Sequence, residues 1–160
     1  GVEPRGKQYA DFVVGQVMPR VERAFRVKTG PENTAVGGCL LGAVISLYLA
    51  TEHPDKFGSV LLESMSGMGA KQQATAFFSK AKAWPKRAYF AESQQEAGTD
   101  PKDAPLNAQY LAGAKTFGEL LTSRVGTGSV KVGNFPGVHN EEAWRDRFPA
   151  ALEFLFPAKP

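Results

Sequence analysis

Three side chains in the sequence have the types and the order that covalent catalysis requires. Cys39 is the only cysteine, and it lies in a glycine-rich reversal between a short apolar run and an apolar helix. A sharp turn from a strand into a helix lifts its central side chain out of the sheet, and the N–H groups at the helix N-terminus stabilise negative charge. An acid, Glu96 or Asp100, and then His139 follow in polar segments further along the chain. The order predicts a nucleophile that an acid and a histidine activate.

The elements that must position these residues are predicted from the spacing of apolar side chains. The predicted strands are 34–37, 57–62, 87–91 and 129–135, and the predicted helices are 8–27 with a bend near Pro19, 40–52, 71–83, 106–125 and 141–156. Strands that alternate with helices predict an α/β fold, a mostly parallel sheet with helices on both faces. The length of 160 residues predicts a single domain over residues 1–160.

The candidate residues all follow predicted strands, so the fold would bring them to one edge of the sheet. His139 is the better general base of the two histidines, because His53 follows a helix and is expected to contact its last carbonyl groups. The acid stays open between Glu96 and Asp100, which share a polar, turn-rich segment between residues 92 and 105.

Each candidate also has an ordinary structural interpretation. A lone cysteine among apolar residues is often a small buried hydrophobe. A histidine in a glycine-rich loop can simply bond to that loop, and carboxylates in polar loops are commonly solvated. Trp144 and Phe148 lie at helical spacing and are expected in the core.

Composition excludes several other classes of protein. The net charge of +3 comes from scattered Lys and Arg, without the basic run typical of nucleic-acid binding. The longest apolar run, Ala43 to Ala50, is too short to span a membrane. Ala43 and Val44 stand where a phosphate-binding loop requires Lys and Ser or Thr, and the dinucleotide pattern is absent. We therefore expect no cofactor and no metal, while the cellular compartment stays open.

Four segments together resemble the putative-esterase family of α/β-hydrolases, which includes esterase D-like and enterochelin esterase-like enzymes. The segments are Phe12 to Pro19, Val36 to Gly42, His53 to Val60 and Pro136 to Arg145. The resemblance implies an α/β-hydrolase-like sheet and acyl transfer from a small-molecule ester to water.

Site residues are also implied by the resemblance. Cys39 falls on the family's serine, His139 on its histidine and Glu96 approximately on its acid. The N–H of Leu40 would be an oxyanion donor. Leu41 replaces the second glycine of the family's turn, so its branched side chain is expected to crowd or fill the site.

The family also has strands before the opening helix of this chain, so the resemblance covers the C-terminal part of the fold. A sheet that starts at residue 34 would leave a hydrophobic edge open. We expect a protein partner, or an N-terminal portion of the same precursor, to cover that edge. The alternative to an esterase is a catalytically inactive hydrolase-fold subunit with a structural or interaction role in a larger assembly. A weaker third possibility is a module that binds a ligand without chemistry.

Overall fold

The protein forms a four-stranded parallel sheet with helices on both faces. The computed structural model describes residues 5–65 and 71–158, apart from the side chains of Lys71 and Gln72. The strands are β1 (Ala35–Cys39), β2 (Ser59–Glu63), β3 (Arg87–Gln95) and β4 (Val130–Val138), in the spatial order β1-β2-β3-β4. All three pairings are parallel. The prediction of an α/β fold with a parallel sheet is confirmed.

Six α-helices are described. They are α1 (Gly6–Phe12), α2 (Met18–Ala24), α3 (Leu41–Glu52), α4 (Lys71–Phe78), α5 (Ala104–Val125) and α6 (Glu141–Leu155). A π-helical turn over Val13–Val17 joins α1 to α2. α1, this turn and α2 form one continuous helical run, and Pro19 lies two residues after the π-helical turn, where its missing N–H removes one backbone hydrogen bond of the helix. None of the described helices is long and apolar enough to cross a membrane.

The core has two parts because side chains of a strand alternate between the faces of the sheet. On one face, Val60, Leu62 and Phe90 pack in the larger cluster with α3 and α5. On the other face, Leu61 and Tyr89 pack against α6. All five residues of β2 are buried, which is typical of a central parallel strand.

Several predicted boundaries are wrong. β1 continues through Cys39, so this residue ends the strand rather than forming the turn. β3 continues to Gln95 through a segment predicted as a polar loop, because pairing with β4 satisfies its backbone. Helix α4 ends at Phe78, five residues earlier than predicted. The sequence predicts a polar loop over residues 63–69, and the part from residue 66 onward lies outside the described residues.

Candidate active site

Glu96 and His139 meet at the carboxyl ends of β3 and β4. The Nδ1 atom of His139 lies 2.5 Å from Oε2 of Glu96. The Glu96 side chain is fully buried, and about a quarter of the imidazole is exposed. An ionised carboxylate can only accept, so Nδ1 carries a hydrogen, and Nε2 of the neutral ring is left as an acceptor. This is the protonation that a general base requires.

Three donors surround the Glu96 carboxylate. Oε1 accepts from the Ser64 hydroxyl at 2.7 Å and from the Ser93 backbone N–H at 2.6 Å, while Oε2 faces the imidazole. Burial by itself would raise the pKa of Glu96, but the hydrogen bonds from Ser64, Ser93 and His139 outweigh it and lower the pKa. The carboxylate is therefore ionised at neutral pH.

The local sequence fixes the histidine beside this carboxylate. Gly137, the second-last residue of β4, has φ of 122°, a conformation that glycine adopts readily, so the chain changes direction just before His139. The Asn140 side chain accepts from the Ala143 N–H and caps α6 directly after His139. Asp100, the other predicted acid, instead accepts from the Lys102 N–H in an exposed turn and makes no described bond to His139.

The turn between β1 and α3 is sharp, and its central residue is Leu40. Leu40 has φ of 55° and ψ of −119°, and only one other described non-glycine residue has a positive φ. Such a conformation is strained for a branched residue and is the one expected of a strand-to-helix nucleophile turn. A Cβ on Gly38 would lie 2.7 Å from the backbone carbon of Gly42. The nucleophile turn has a glycine two positions before and two positions after its central residue (G-x-S-x-G). This pattern therefore aligns with residues 38–42, one position later than the sequence analysis predicts.

Two expectations about the turn are wrong as a result. The Leu40 N–H donates to the backbone oxygen of Glu63 at 3.0 Å, so it is not free to bind an oxyanion. Leu41 does not crowd the site, because its side chain is 57% exposed and lines a separate cavity with Tyr48 and Phe77.

Cys39 lies beside the turn, on the sheet face that α6 covers. Burial is the main cause that raises the pKa of its thiol to about 11, and the neighbouring Glu63 charge adds to it. No hydrogen bond joins Sγ to His139 in the described part of the chain. The structure thus brings Glu96 and His139 together without joining Cys39 to them.

A second buried carboxylate lies next to Cys39. Glu63 is the register partner of Cys39 on β2, and its Oε2 accepts from Arg147 at 2.8 Å. Both side chains are less than a tenth exposed, and no described group donates to Oε1 of Glu63. Burial raises the pKa of Glu63 to about 7 despite the opposing charge and hydrogen bond of Arg147. Burial therefore favours the protonated form of Glu63, whereas the hydrogen bonds around Glu96 favour its charged form.

Sequence reasoning missed four residues of this region. The sequence predicts no role for Ser64 or Glu63, and it predicts Trp144 as a core residue. The Trp144 indole instead donates to the Ser64 hydroxyl at 2.9 Å and lies edge-on to His139, with ring centroids 5.1 Å apart. Arg147 had no assignment. Of these four residues, only Trp144 could have been linked to the site from the sequence, because it lies five residues after His139 in the first turn of the predicted helix. The described residues contain no group of three or more His, Cys, Asp or Glu that could hold a metal ion.

Comparison with known proteins identifies the family of the chain and proteins of similar fold. The family model described as "Putative esterase" matches residues 2–155. An enterochelin esterase from Shigella flexneri matches with a TM-score of 0.62 and 19% identity, over 91% of this chain and 36% of that one. A ferulic acid esterase from Anaeromyces mucronatus matches with a TM-score of 0.63 and 20% identity, over 98% of this chain and 60% of that one.

An S-formylglutathione hydrolase from Staphylococcus aureus matches with a TM-score of 0.61 and 12% identity, over 94% of this chain and 65% of that one. No curated protein matches the chain. At these identities the solved structures show the fold, and this chain spans only 36% to 65% of their lengths. The family model, which covers nearly every residue, shows that the chain belongs to the Putative esterase family.

Proposed function

We propose that this member of the esterase family forms no acyl-enzyme. It acts instead as a hydrolase-fold subunit that binds another polypeptide segment. The observation that carries the proposal is Leu40 at the centre of the strained turn. Covalent acyl transfer needs a hydroxyl or thiol at the position where the turn presents a side chain to the base. Leucine has neither, so His139 has no proton to abstract there.

In this proposal the thiol of Cys39, next to Leu40, does not replace the missing nucleophile. With a pKa of about 11, only about one Cys39 thiol in ten thousand is ionised at pH 7. A catalytic cysteine is activated by a basic partner, whereas the charge with the largest effect on the Cys39 pKa is that of Glu63, which raises it. This environment disfavours the thiolate.

Hydrolysis of an activated aryl ester tests the proposal. We expect no turnover above that of the His139→Ala variant. Turnover that is lost in both His139→Ala and Cys39→Ala would contradict the proposal and would establish a cysteine esterase.

That cysteine esterase is the second candidate function. The assembled Glu96–His139 pair favours it, because an oriented histidine with a free Nε2 is what a nearby nucleophile would need. The substrate would be a small-molecule ester, and Cys39, His139 and Glu96 would carry the reaction.

The dependence of the Cys39 alkylation rate on pH distinguishes the two candidate functions. A midpoint near 11 supports an inert thiol, whereas a midpoint below 8 supports an activated one.

The binding role rests on the outer edge of β1. The Leu40 N–H and the Thr34 carbonyl both bond toward β2, so the alternate residues Ala35, Gly37 and Cys39 direct their backbone groups to the opposite edge. No backbone bond to another described element involves these three residues. β1 contains neither a charge nor a proline, the features that protect exposed strand edges.

An apolar groove of about 910 Å³ runs along this edge, between α2 and α6. Six exposed hydrophobic side chains line it, namely Val17, Val21, Val27, Phe148, Leu152 and Phe156. The opposite edge of the sheet differs, because β4 carries Lys131 and Pro136. We therefore place the covering polypeptide, from outside these 160 residues, at β1 and not at β4.

Sedimentation velocity and binding of a hydrophobic dye test the open edge. We expect these 160 residues alone to bind the dye at the groove. A stable monomer that binds no dye contradicts the proposal.

A further inference from the structure

Ser64 combines a strained backbone with complete burial. It follows β2 directly, has φ of 48° and is 0% exposed. A non-glycine residue in this region costs about 1–3 kcal/mol and persists only where its surroundings fix it. A hydrogen bond helps to hold the Ser64 backbone in this conformation, because the Ser64 N–H donates to the backbone oxygen of Ala91 on β3 at 2.8 Å. The strain therefore places the side chain against the end of β3.

The donor and acceptor roles of the Ser64 hydroxyl are fixed by its two partners. It donates to Oε1 of Glu96 at 2.7 Å and accepts from the Trp144 indole N–H at 2.9 Å. The indole can only donate and the ionised carboxylate can only accept, so the hydroxyl cannot reverse. Trp144 therefore orients the Ser64 hydrogen toward Glu96.

These contacts close a ring of four side chains. Ser64 contacts Glu96, Glu96 contacts His139, His139 packs against the edge of Trp144, and Trp144 returns to Ser64. With Oε1 occupied by Ser64 and the Ser93 N–H, Oε2 is the oxygen left to face the imidazole. Removing one member should loosen the remaining three.

We propose that Ser64 is a positioning residue that holds the Glu96 carboxylate in the orientation required to bind His139, with Trp144 fixing the direction of its hydroxyl. The inference depends on the geometry of the acid–histidine pair and not on the identity of residue 40. It therefore holds whether or not the site performs acyl transfer.

NMR of the protein labelled at the Glu carboxyl carbons and His ring nitrogens tests the inference. In Ser64→Ala we expect the Glu96 titration to move upward, because one hydrogen bond to the charged form is lost. We also expect the His139 Nδ1 hydrogen to exchange with water on the order of tenfold faster, the equivalent of about one hydrogen bond. Trp144→Phe keeps the aromatic edge and the hydroxyl, so both changes should have the same direction and be smaller.

Two further variants separate positioning from folding. Ser64→Gly also lacks the hydroxyl but relieves the positive φ, so it retains the test if Ser64→Ala does not fold. Ser59→Ala removes another buried serine hydroxyl at the start of the same strand, 3.5 Å from the Leu155 carbonyl, and should change neither signal. An unchanged Glu96 titration and an unchanged exchange rate in Ser64→Gly would overturn the inference. So would equal changes in Ser59→Ala.

Discussion

The two halves of the candidate site differ in how completely they are built. On one side, Glu96 accepts three hydrogen bonds and holds His139 in a defined tautomer. On the other side, the turn has the backbone of a nucleophile position, but Leu40 occupies its centre. The difference shows that the close approach of Gly38 and Gly42 sets the shape of the turn, whereas only the central side chain supplies chemistry. One half can retain its geometry while the other lacks a reactive group.

Restoring a hydroxyl at the centre of the turn is the strongest test of this difference. In Leu40→Ser we expect labelling by an activated phosphonate ester to increase on the order of 1,000-fold, and to be lost when His139 is also replaced by Ala. Mass spectrometry of the intact protein measures the adduct. Leu41→Ser is the matched control, since Leu41 is exposed and points away from the site, and should gain nothing. Equal labelling of both variants would refute the assignment of Leu40.

A methyl group at the first glycine should disrupt the turn itself. In Gly38→Ala the new Cβ would lie 2.7 Å from the Gly42 backbone, which cannot move aside as a side chain can. We expect a loss of about 3 kcal/mol in the free energy of unfolding, measured by urea denaturation. A Cβ at Gly42 meets nothing within 4 Å, so Gly42→Ala should be neutral or stabilise α3 by up to about 1 kcal/mol.

Replacing Glu96 by a neutral side chain should destabilise the side of the site that contains Glu96 and His139. Glu96→Gln places an amide among three donors, and we expect a loss of about 2 kcal/mol in the free energy of unfolding at pH 7. The folded-state pKa of Glu96 is lowered, so its stabilisation is present above the ordinary carboxyl pKa and is lost as the pH falls. The difference from wild type should therefore shrink toward pH 4. The exposed Glu142→Gln serves as control and should change stability by less than about 0.5 kcal/mol.

The second buried carboxylate should show the opposite dependence on pH. Because burial raises the folded-state pKa of Glu63 from 4.5 to about 7, its contribution is fully present below pH 4.5 and is lost as the pH rises through 7. Thermal unfolding between pH 4.5 and 8 measures this slope. Glu63→Gln keeps the shape of the side chain without a titrating group, so its profile should be flatter in this window. A profile as steep as that of wild type would show that Glu63 is not the group responsible.

Much of this architecture was predictable because its causes are local. The apolar runs near residues 60 and 89 predicted buried strands, and the spacing along 106–125 and 141–156 predicted α5 and α6 within two residues. Parallel strands place their carboxyl ends at one edge, which explains why Glu96 and His139 could be predicted as neighbours. The polar composition of residues 92–95 misled the prediction of β3, since pairing with β4 is not visible in local composition.

The sequence by itself determined the α/β fold, because hydrophobic spacing and turn residues act over a few positions. The resemblance of four segments indicated the family, and the sequence offered His139 as the base but left the acid open between Glu96 and Asp100. Only the tertiary structure decided which residue stands at the centre of the turn, because residues 37–42 contain three glycines and permit two alignments of the same pattern. The dihedral angles of Leu40 and the contact between Gly38 and Gly42 select one of them. The same is true of Ser64, Trp144 and the Glu63–Arg147 pair, whose partners lie 32 to 84 positions apart and meet only when the sheet and α6 have packed.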